Sequence, residues 1–599
     1  MKTYLFILTL VLGTIDAVAQ LSIDTTGQLD SVMVLAKAVI PIGQPSAIES
    51  KDWQTGKLAT SSTEALLYLP GVHIRQQGPG QIATVQYRGL QGARVAQTWQ
   101  GLPVTNPQIG TSDAHELNLA LVDQVEIGSP TSLGNAAAIS VSQSSAGPTT
   151  LSARYANGNG FLLNGRWKGL RLVYQNDQHE FSHSGTSIFG ENIKSNQPGT
   201  NTKSIGGSYT VSFARNWSSS SYYLETDRRN TSNFFSDFEN ITIETRLKTS
   251  SARQLFTYAT KNASEQIDIG LLYDKQLYER DFRSPSKGQT FQPLVRYQAQ
   301  VVEGLRITTD NRILFSKHTS YDKSIVRPQT RTLLTYSTNP SAIQLEMTGG
   351  IHSRLNSGTI AFGTISLLKK ISSTEHIQFE LRRISRLPSL DDQLWNQGGV
   401  DNLSPERGWG FSTSSEGRIG QVKISPIVFA RRFSNYILWL PRDNFFNSTS
   451  ITNVNNYGAG IDLSGSIGSH TKILKFQGSI SYSELRLAKD FELPRGNFLE
   501  ADKSLPFSPK FTGNLSSDYR HSAWSFLVQG RYTGKQSTSY NDLSEYDEFA
   551  VLRAAVSHQS KLLNVSLSAD NITNTKIPND FGLFSPLRRF ELTINYTTK

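Results

Sequence analysis

The segment HEFSH, residues 179–183, carries the letters of the zinc-protease motif H-E-x-x-H. That chemistry needs two imidazoles one helical turn apart on a single face, with the glutamate as general base. Here the segment follows RLVYQND, which reads as a strand. On a strand His179 and His183 would stand about 13 Å apart, too far to share one zinc ion at ligand distances of about 2 Å. GRYTGKQS offers a second temptation, but only three residues separate Gly530 from Gly534 where a phosphate loop needs four. There is no G-x-S-x-G elbow. The 599 residues include no Cys, which removes thiolate nucleophiles, Cys-based metal sites and disulfides. No catalytic residue, metal ligand or cofactor is expected, and the chain is not expected to be an enzyme.

The elements that would have to position any site are mostly strands. From about residue 147 onward short alternating runs recur between turn-rich segments. In IDIGLLY the apolar set is Ile267, Ile269, Leu271 and Tyr273; in IQLEMT it is Ile343, Leu345 and Met347, and in IQFELR it is Ile377, Phe379 and Leu381. Periodicity alone does not say whether the apolar face points into a soluble sandwich or outward into lipid. Scale favours a membrane barrel, because so long a run of strand signal with loops such as FGENIKSNQPGTNTKS is very large for one sandwich. The final run, RRFELTINYTTK, alternates Phe590, Leu592, Ile594 and Tyr596 with polar residues and suits a closing strand.

The start of the chain, MKTYLFILTLVLGTIDAVAQ, has a basic Lys2, an apolar stretch and small residues Ala17 and Ala19, as in an export signal cleaved after Ala19. No later stretch approaches the length of an apolar membrane helix. The formal net charge of +10 comes from 59 Lys and Arg against 49 Asp and Glu, scattered rather than blocked, so nucleic acid is not an expected partner.

Residues 61–146 differ in kind. STEALLYLPGV has Ala65, Leu66, Leu67 and Leu69 at helical spacing before Pro70 and Gly71. ATVQYRG reads as a strand, VAQTWQGLPV as a strand entering a turn, and LALVDQVEIGS as a helical turn followed by a strand. A small α+β unit results. Its most turn-rich stretch, QYRGLQGARVAQTWQGLPV, packs an Arg-Gly pair, a Gly-Ala-Arg bend and a Gly-Leu-Pro turn into residues 86–104.

These features resemble a TonB-dependent outer-membrane receptor, whose fold is a barrel of about 22 antiparallel strands with an N-terminal plug domain in its lumen. In the plug the resemblance rests on Arg88 and Gly89, on Gly101, Leu102 and Pro103, and on Val125, Glu126 and Ile127. In the barrel, SRLPSLDDQLW followed by GGVDNLSPE is similar to the family's mid-barrel signature through Arg386, Pro388, Leu394, Trp395, Asn402, Leu403, Pro405 and Glu406. VSLSADNITNTKI is similar to an element before the last strands, through Asn571, Ile572, Asn574 and Lys576. The chain departs from the family's pattern where VEIGSP lacks the usual Arg. Arg88 is the plug residue singled out for an ion pair, either to the barrel wall or within the plug.

Between Gln20 and the plug, Asp30, Ser31, Val32, Met33, Val34, Leu35 and Ala36 are similar to the family's Ton box. Such an extended segment can add as a strand to the sheet edge of an energy-coupling partner. The other reading is an ordinary first strand of the plug. The organisation implied is a signal peptide at 1–19, a Ton-box segment at 20–60, a plug at 61–146 and a transmembrane barrel at 147–599. The resemblance implies a monomer in the bacterial outer membrane, in contact with its lipid, working with a TonB-type coupling protein. It would take up a scarce small ligand, an iron-siderophore complex or cobalamin. Haem is disfavoured because residues 389–401 hold no His where similar haem receptors place one. A non-energised porin or a surface-binding barrel is the alternative.

Overall fold

The computed structural model describes residues 46–49 and 62–598, apart from short segments of which the longest are 77–82, 129–136, 187–191, 236–239, 281–284, 339–342 and 493–497. The export signal and the Ton-box-like residues 30–36 lie outside the described residues. Residues 150–597 form a closed antiparallel barrel of 22 wall strands. The last strand, Arg589–Thr597, pairs on one side with Leu563–Asp570 and on the other with the first, Thr150–Ala156, so the wall has no free edge. A small hairpin, Ile577–Asn579 with Gly582–Pro586, leans against Leu170–Thr186.

The alternation now acquires a direction. Phe590 is 53% exposed while its neighbour Glu591 is 1% exposed, and the same inversion holds for Met347 beside Glu346 and for Phe379 beside Gln378. Apolar side chains face out and polar ones face in, the opposite of a soluble sandwich. Among the described residues no helix is long and apolar enough to cross a membrane. Wall strands alone span it, each paired with a neighbour on both sides around the ring.

Connections at one rim run from two to five residues, as at Lys168-Gly169 and Ser522-Ala523, whereas the longest connections all lie at the other. The longest follow one another around half of the mouth, from residue 387 to residue 588. On the opposite flank the strands themselves are long, reaching 23 residues in Asn192–Ala214 against 11 in His376–Arg386.

Inside the ring sits the plug. Its five-stranded sheet runs Ser46–Glu49, Gln124–Gly128, Ala137–Ser142, Val95–Trp99 and Leu102–Pro103, with Val95–Trp99 parallel to Ala137–Ser142 and the other pairs antiparallel. The edge strand therefore comes from residues ahead of position 61. Helix Ser62–Leu66 and the strand Ala83–Tyr87 fall where the sequence pattern expects them, and Ala83–Tyr87 pairs with a further strand, Val72–Gln76, that the pattern does not mark. Leu66, Leu90, Trp99, Leu102 and Leu119 are fully buried, in one apolar cluster that continues into wall residues Leu224 and Leu294. Plug and wall share a core.

Because the outer face meets lipid, Leu567→Arg should destabilise the barrel by about 2–4 kcal/mol near the bilayer midplane. Leu567 is 54% exposed, so on a water-facing surface the same change would be nearly neutral. Denaturant unfolding from lipid vesicles checks the difference.

Candidate functional site

Four buried charges meet where plug, wall and one long connection join. Arg94 ends a short 3-10 turn, Gly92–Arg94, that delivers its side chain just before the plug strand Val95–Trp99. Its Nε donates to Glu406 Oε2 at 3.1 Å, its Nη2 donates to Glu406 Oε1 and, at 2.7 Å, to the Ile437 carbonyl. The guanidinium lies 3.5 Å from the centre of the Tyr436 ring. From the wall, Arg386 donates to Glu406 Oε1 and to Asp392 Oδ2, each at 3.1 Å. Two cations therefore face two carboxylates, so the group is neutral, with no member more than 9% exposed.

The sequence explains how Asp392 arrives there. Ser389 caps the helix Leu390–Leu394 with a reciprocal capping box, its Oγ accepting from Asp392 N while Asp392 Oδ2 accepts from Ser389 N. Burial alone would raise the Asp392 carboxyl, but Arg386 and the Ser389 hydrogen bonds hold it below the usual range. Asp392 Oδ1 also accepts from Trp439 Nε1 at 3.1 Å. Trp439 belongs to a hairpin, Tyr436–Arg442 with Phe445–Ile451, whose Tyr436, Leu440 and Ile451 are buried in the shared core. The hairpin is folded into the lumen above the plug.

The plug is seated elsewhere by the same means. Arg296 donates to the Gly101 carbonyl at 2.8 Å and Arg312 to the Pro103 carbonyl at 3.1 Å. Both arginines, with Arg331, surround Asp310, which is 1% exposed. Arg228 of the wall pairs with Asp113 of the plug at 2.5 Å. Arg166 and Arg171 pair with Asp123.

The residues singled out in the sequence fall into distinct places. Arg386 and Glu406 lie in the central group; Pro388 leads into the capped helix, Asn402 is exposed in a turn, and the Pro405 carbonyl accepts from Asn435. Gly101 and Pro103 meet the wall through their carbonyls. Arg88 makes no ion pair among the described residues: its guanidinium stacks 4.9 Å from the Tyr87 ring centre and its carbonyl accepts from Asn456 Nδ2. Gly89 has φ +76, and a Cβ there would sit 2.7 Å from Asn456 Nδ2, so both conformation and space require glycine. Glu126 accepts from Gln124 Nε2 within the plug, and burial raises its carboxyl. His179 and His183 both lie on the strand Leu170–Thr186. Asn571 has φ 49 and clasps Thr575 through its side chain, the geometry an Asn tolerates in a turn. Sequence reading missed Arg94 and Asp392, although Arg94 stands in the quoted Gly-Ala-Arg bend and S-x-x-D marks the cap.

Two cavities flank the seat. One of about 140 Å³ lies between plug residues such as Pro103 and Asn106 and wall residues Asp310, Arg312, Arg331 and His352. It has room for a few waters only, well under the roughly 300–1,000 Å³ of a drug-sized site. Towards the short-turn rim a cavity of about 660 Å³ is lined among the described residues by wall side chains, including Arg418, Lys423, Lys475 and Arg520.

A filled barrel of this construction is matched by two family models. One, for the TonB-dependent receptor plug domain, spans residues 43–147, and the other, for the TonB-dependent receptor-like β-barrel, spans residues 377–574. The chain belongs to the TonB-dependent receptors. The receptor is also similar to solved structures. For the FrpB iron transporter from Neisseria meningitidis (F5-1 variant) the TM-score is 0.73 at 12% identity, over 93% of this chain and 100% of that one. The siderophore receptor PirA from Acinetobacter baumannii gives 0.71 at 11% identity, over 92% and 98%. The copper transporter OprC gives 0.69 at 12% identity, over 93% and 100%. At these identities the likeness shows the shared fold alone. No curated protein matches.

Removing Arg94 strands Glu406 beside a single cation, and breaking a buried pair costs about 3–5 kcal/mol. Arg94→Ala should therefore loosen the plug, read as faster proteolysis of residues 83–104 and raised conductance in planar bilayers. A second prediction concerns Glu116, whose carboxyl is pushed up to about 8 by burial and then by the charges of Asp113 and Asp274, against Arg228 and Arg253. The unfolded group loses its proton near the ordinary 4.5, the folded one near 8. In that window the folded state holds more protons, so plug stability falls as pH rises from about 4.5 to about 8. Glu116→Gln should flatten this dependence in denaturant titrations at several pH values.

Proposed function

We propose that the receptor is an active transporter of the bacterial outer membrane, importing a scarce small ligand with energy supplied from the inner side. The observation that carries this reading is the filled lumen: the plug is bonded to the wall at several points around its girth, and the cavity between Pro103 and Asn106 of the plug and Arg312 and Arg331 of the upper wall measures about 140 Å³. Import of anything larger than water needs the plug to shift. That movement breaks buried ion pairs, each costing several kcal/mol, so thermal motion alone does not suffice. A non-energised porin would need an open bore, and a barrel of this strand number is wide enough for one when empty.

Residues 30–36 fit the coupling role, as a strand that adds to the edge of a TonB-type partner. The cargo class is an iron-siderophore complex, with cobalamin as the other candidate. Support for iron comes from solved structures of the same fold that are named for it, the FrpB iron transporter and the siderophore receptor PirA. The working form is a monomer.

Val34→Pro removes a backbone donor and fixes φ in the proposed coupling strand. Uptake of ferric siderophore or cobalamin by whole cells should collapse while surface affinity stays near wild type. Normal accumulation in Val34→Pro cells would leave residues 30–36 as an ordinary plug strand. Growth of a deletion strain on individual iron and cobalamin sources identifies the cargo.

A further inference from the structure

On the lipid-facing side, one sector of the wall carries a row of cations at a single height. Arg383 lies opposite Trp409, Trp409 opposite Arg432, Arg432 opposite Asn455 and Asn455 opposite Arg486, a straight line across five neighbouring strands. All five share the outward parity of their strands. Arg407 stands one outward step above Trp409, and Lys510 joins Arg486 at Glu484. Below two of its arginines the outward residues are apolar: Ile377, Phe379 and Leu381 under Arg383, and Pro426, Val428 and Ala430 under Arg432.

The height of the row is informative. Arg432 is about ten residues from Val422 at the short-turn rim, which at about 3.3 Å per residue and a tilt of about 40° is roughly 25 Å. That is the height of the apolar band on outer-membrane barrels. The row therefore marks the upper edge of the hydrocarbon, on the side of the long connections.

Its charge is unbalanced. Glu484 pairs with Arg486 and Lys510 and accepts from Tyr457 and Tyr482, whereas Arg383, Arg407 and Arg432 have no carboxylate partner among the described residues. Arg383 stacks 5.1 Å from the Trp409 ring centre, and Arg432 reaches only the Asn453 amide oxygen. On the opposite flank two outward-facing cations are matched, Lys248 with Glu225 at 2.6 Å and Arg246 with Asp227 at 2.7 Å. Cations two strands apart are spaced about 10 Å.

We propose that this row is a binding site for the phosphate-bearing headgroup of a lipid in the outward leaflet. Planar guanidiniums at the hydrocarbon edge match phosphate oxygens in bidentate fashion, and Trp409 and Tyr457 hold the adjoining acyl and headgroup region. The site rests on the barrel's place in the membrane and is independent of the cargo.

The test is native mass spectrometry of the full chain in detergent micelles, titrated with a bis-phosphorylated, acylated glucosamine disaccharide and with the same lipid after phosphatase treatment. The phosphorylated form should bind more tightly, and Arg383→Gln/Arg407→Gln/Arg432→Gln should weaken it roughly a hundredfold. Arg246→Gln/Lys248→Gln on the opposite flank should change nothing. Equal binding of the dephosphorylated lipid, or full retention by the triple variant, would overturn the site. Displacement of the lipid by millimolar inorganic phosphate would also overturn it, in favour of a simple anion site. If the triple variant fails to fold, the wild-type comparison of the two lipids decides alone.

Discussion

A charge buried without its counter-charge is among the costliest faults a protein interior can carry. Arg94, Glu406, Arg386 and Asp392 avoid it only as a group, because Glu406 is shared between a cation of the plug and a cation of the wall. The plug cannot leave its seat without exposing that shared carboxylate to half its complement. The inward hairpin is tied to the same atoms, since Ile437 N donates to Glu406 Oε1 at 2.7 Å. Seat, plug and cover consequently act as one electrostatic unit, and the remaining plug contacts repeat the pattern with single arginines reaching in from the wall.

The wall supplies those arginines because its faces are inverted. A lumen lined by Arg171, Arg228, Arg296 and Arg312 would be unstable if empty of partners, and a plug rich in acceptors satisfies it. Acceptors such as the Gly101 and Pro103 carbonyls belong to the main chain. Their value does not depend on which side chains the turn carries, only on its conformation. Gly101, at φ +72, fixes that conformation.

Much of this was legible beforehand, and what was not has a physical reason. Period-two alternation in IQFELR or RRFELTINYTTK specifies a strand completely, but not which face is wet, because the same pattern serves both solvents. Helix Ser62–Leu66 and strands Ala83–Tyr87 and Val95–Trp99 followed from local spacing. Arg386 and Glu406 emerged through resemblance, as members of a signature. Arg94 did not, since its partner lies 312 residues away and no local pattern encodes a contact of that separation. Arg88, beside a glycine in a recognisable motif, drew the eye instead, and it holds a turn rather than a charge. Asp392 was within reach through its capping box.

The unequal height of the wall has a further effect. Strands of up to 23 residues on one flank stand opposite strands of 11 on the other, so the mouth is cut obliquely rather than square to the axis. An oblique cut through a tube presents a wider aperture than the bore beneath it. In the transport proposed here, capture from dilute solution would scale with the aperture and retention with the narrow seat. The slant lets the two be set separately, a broad catchment above and a tight closure below.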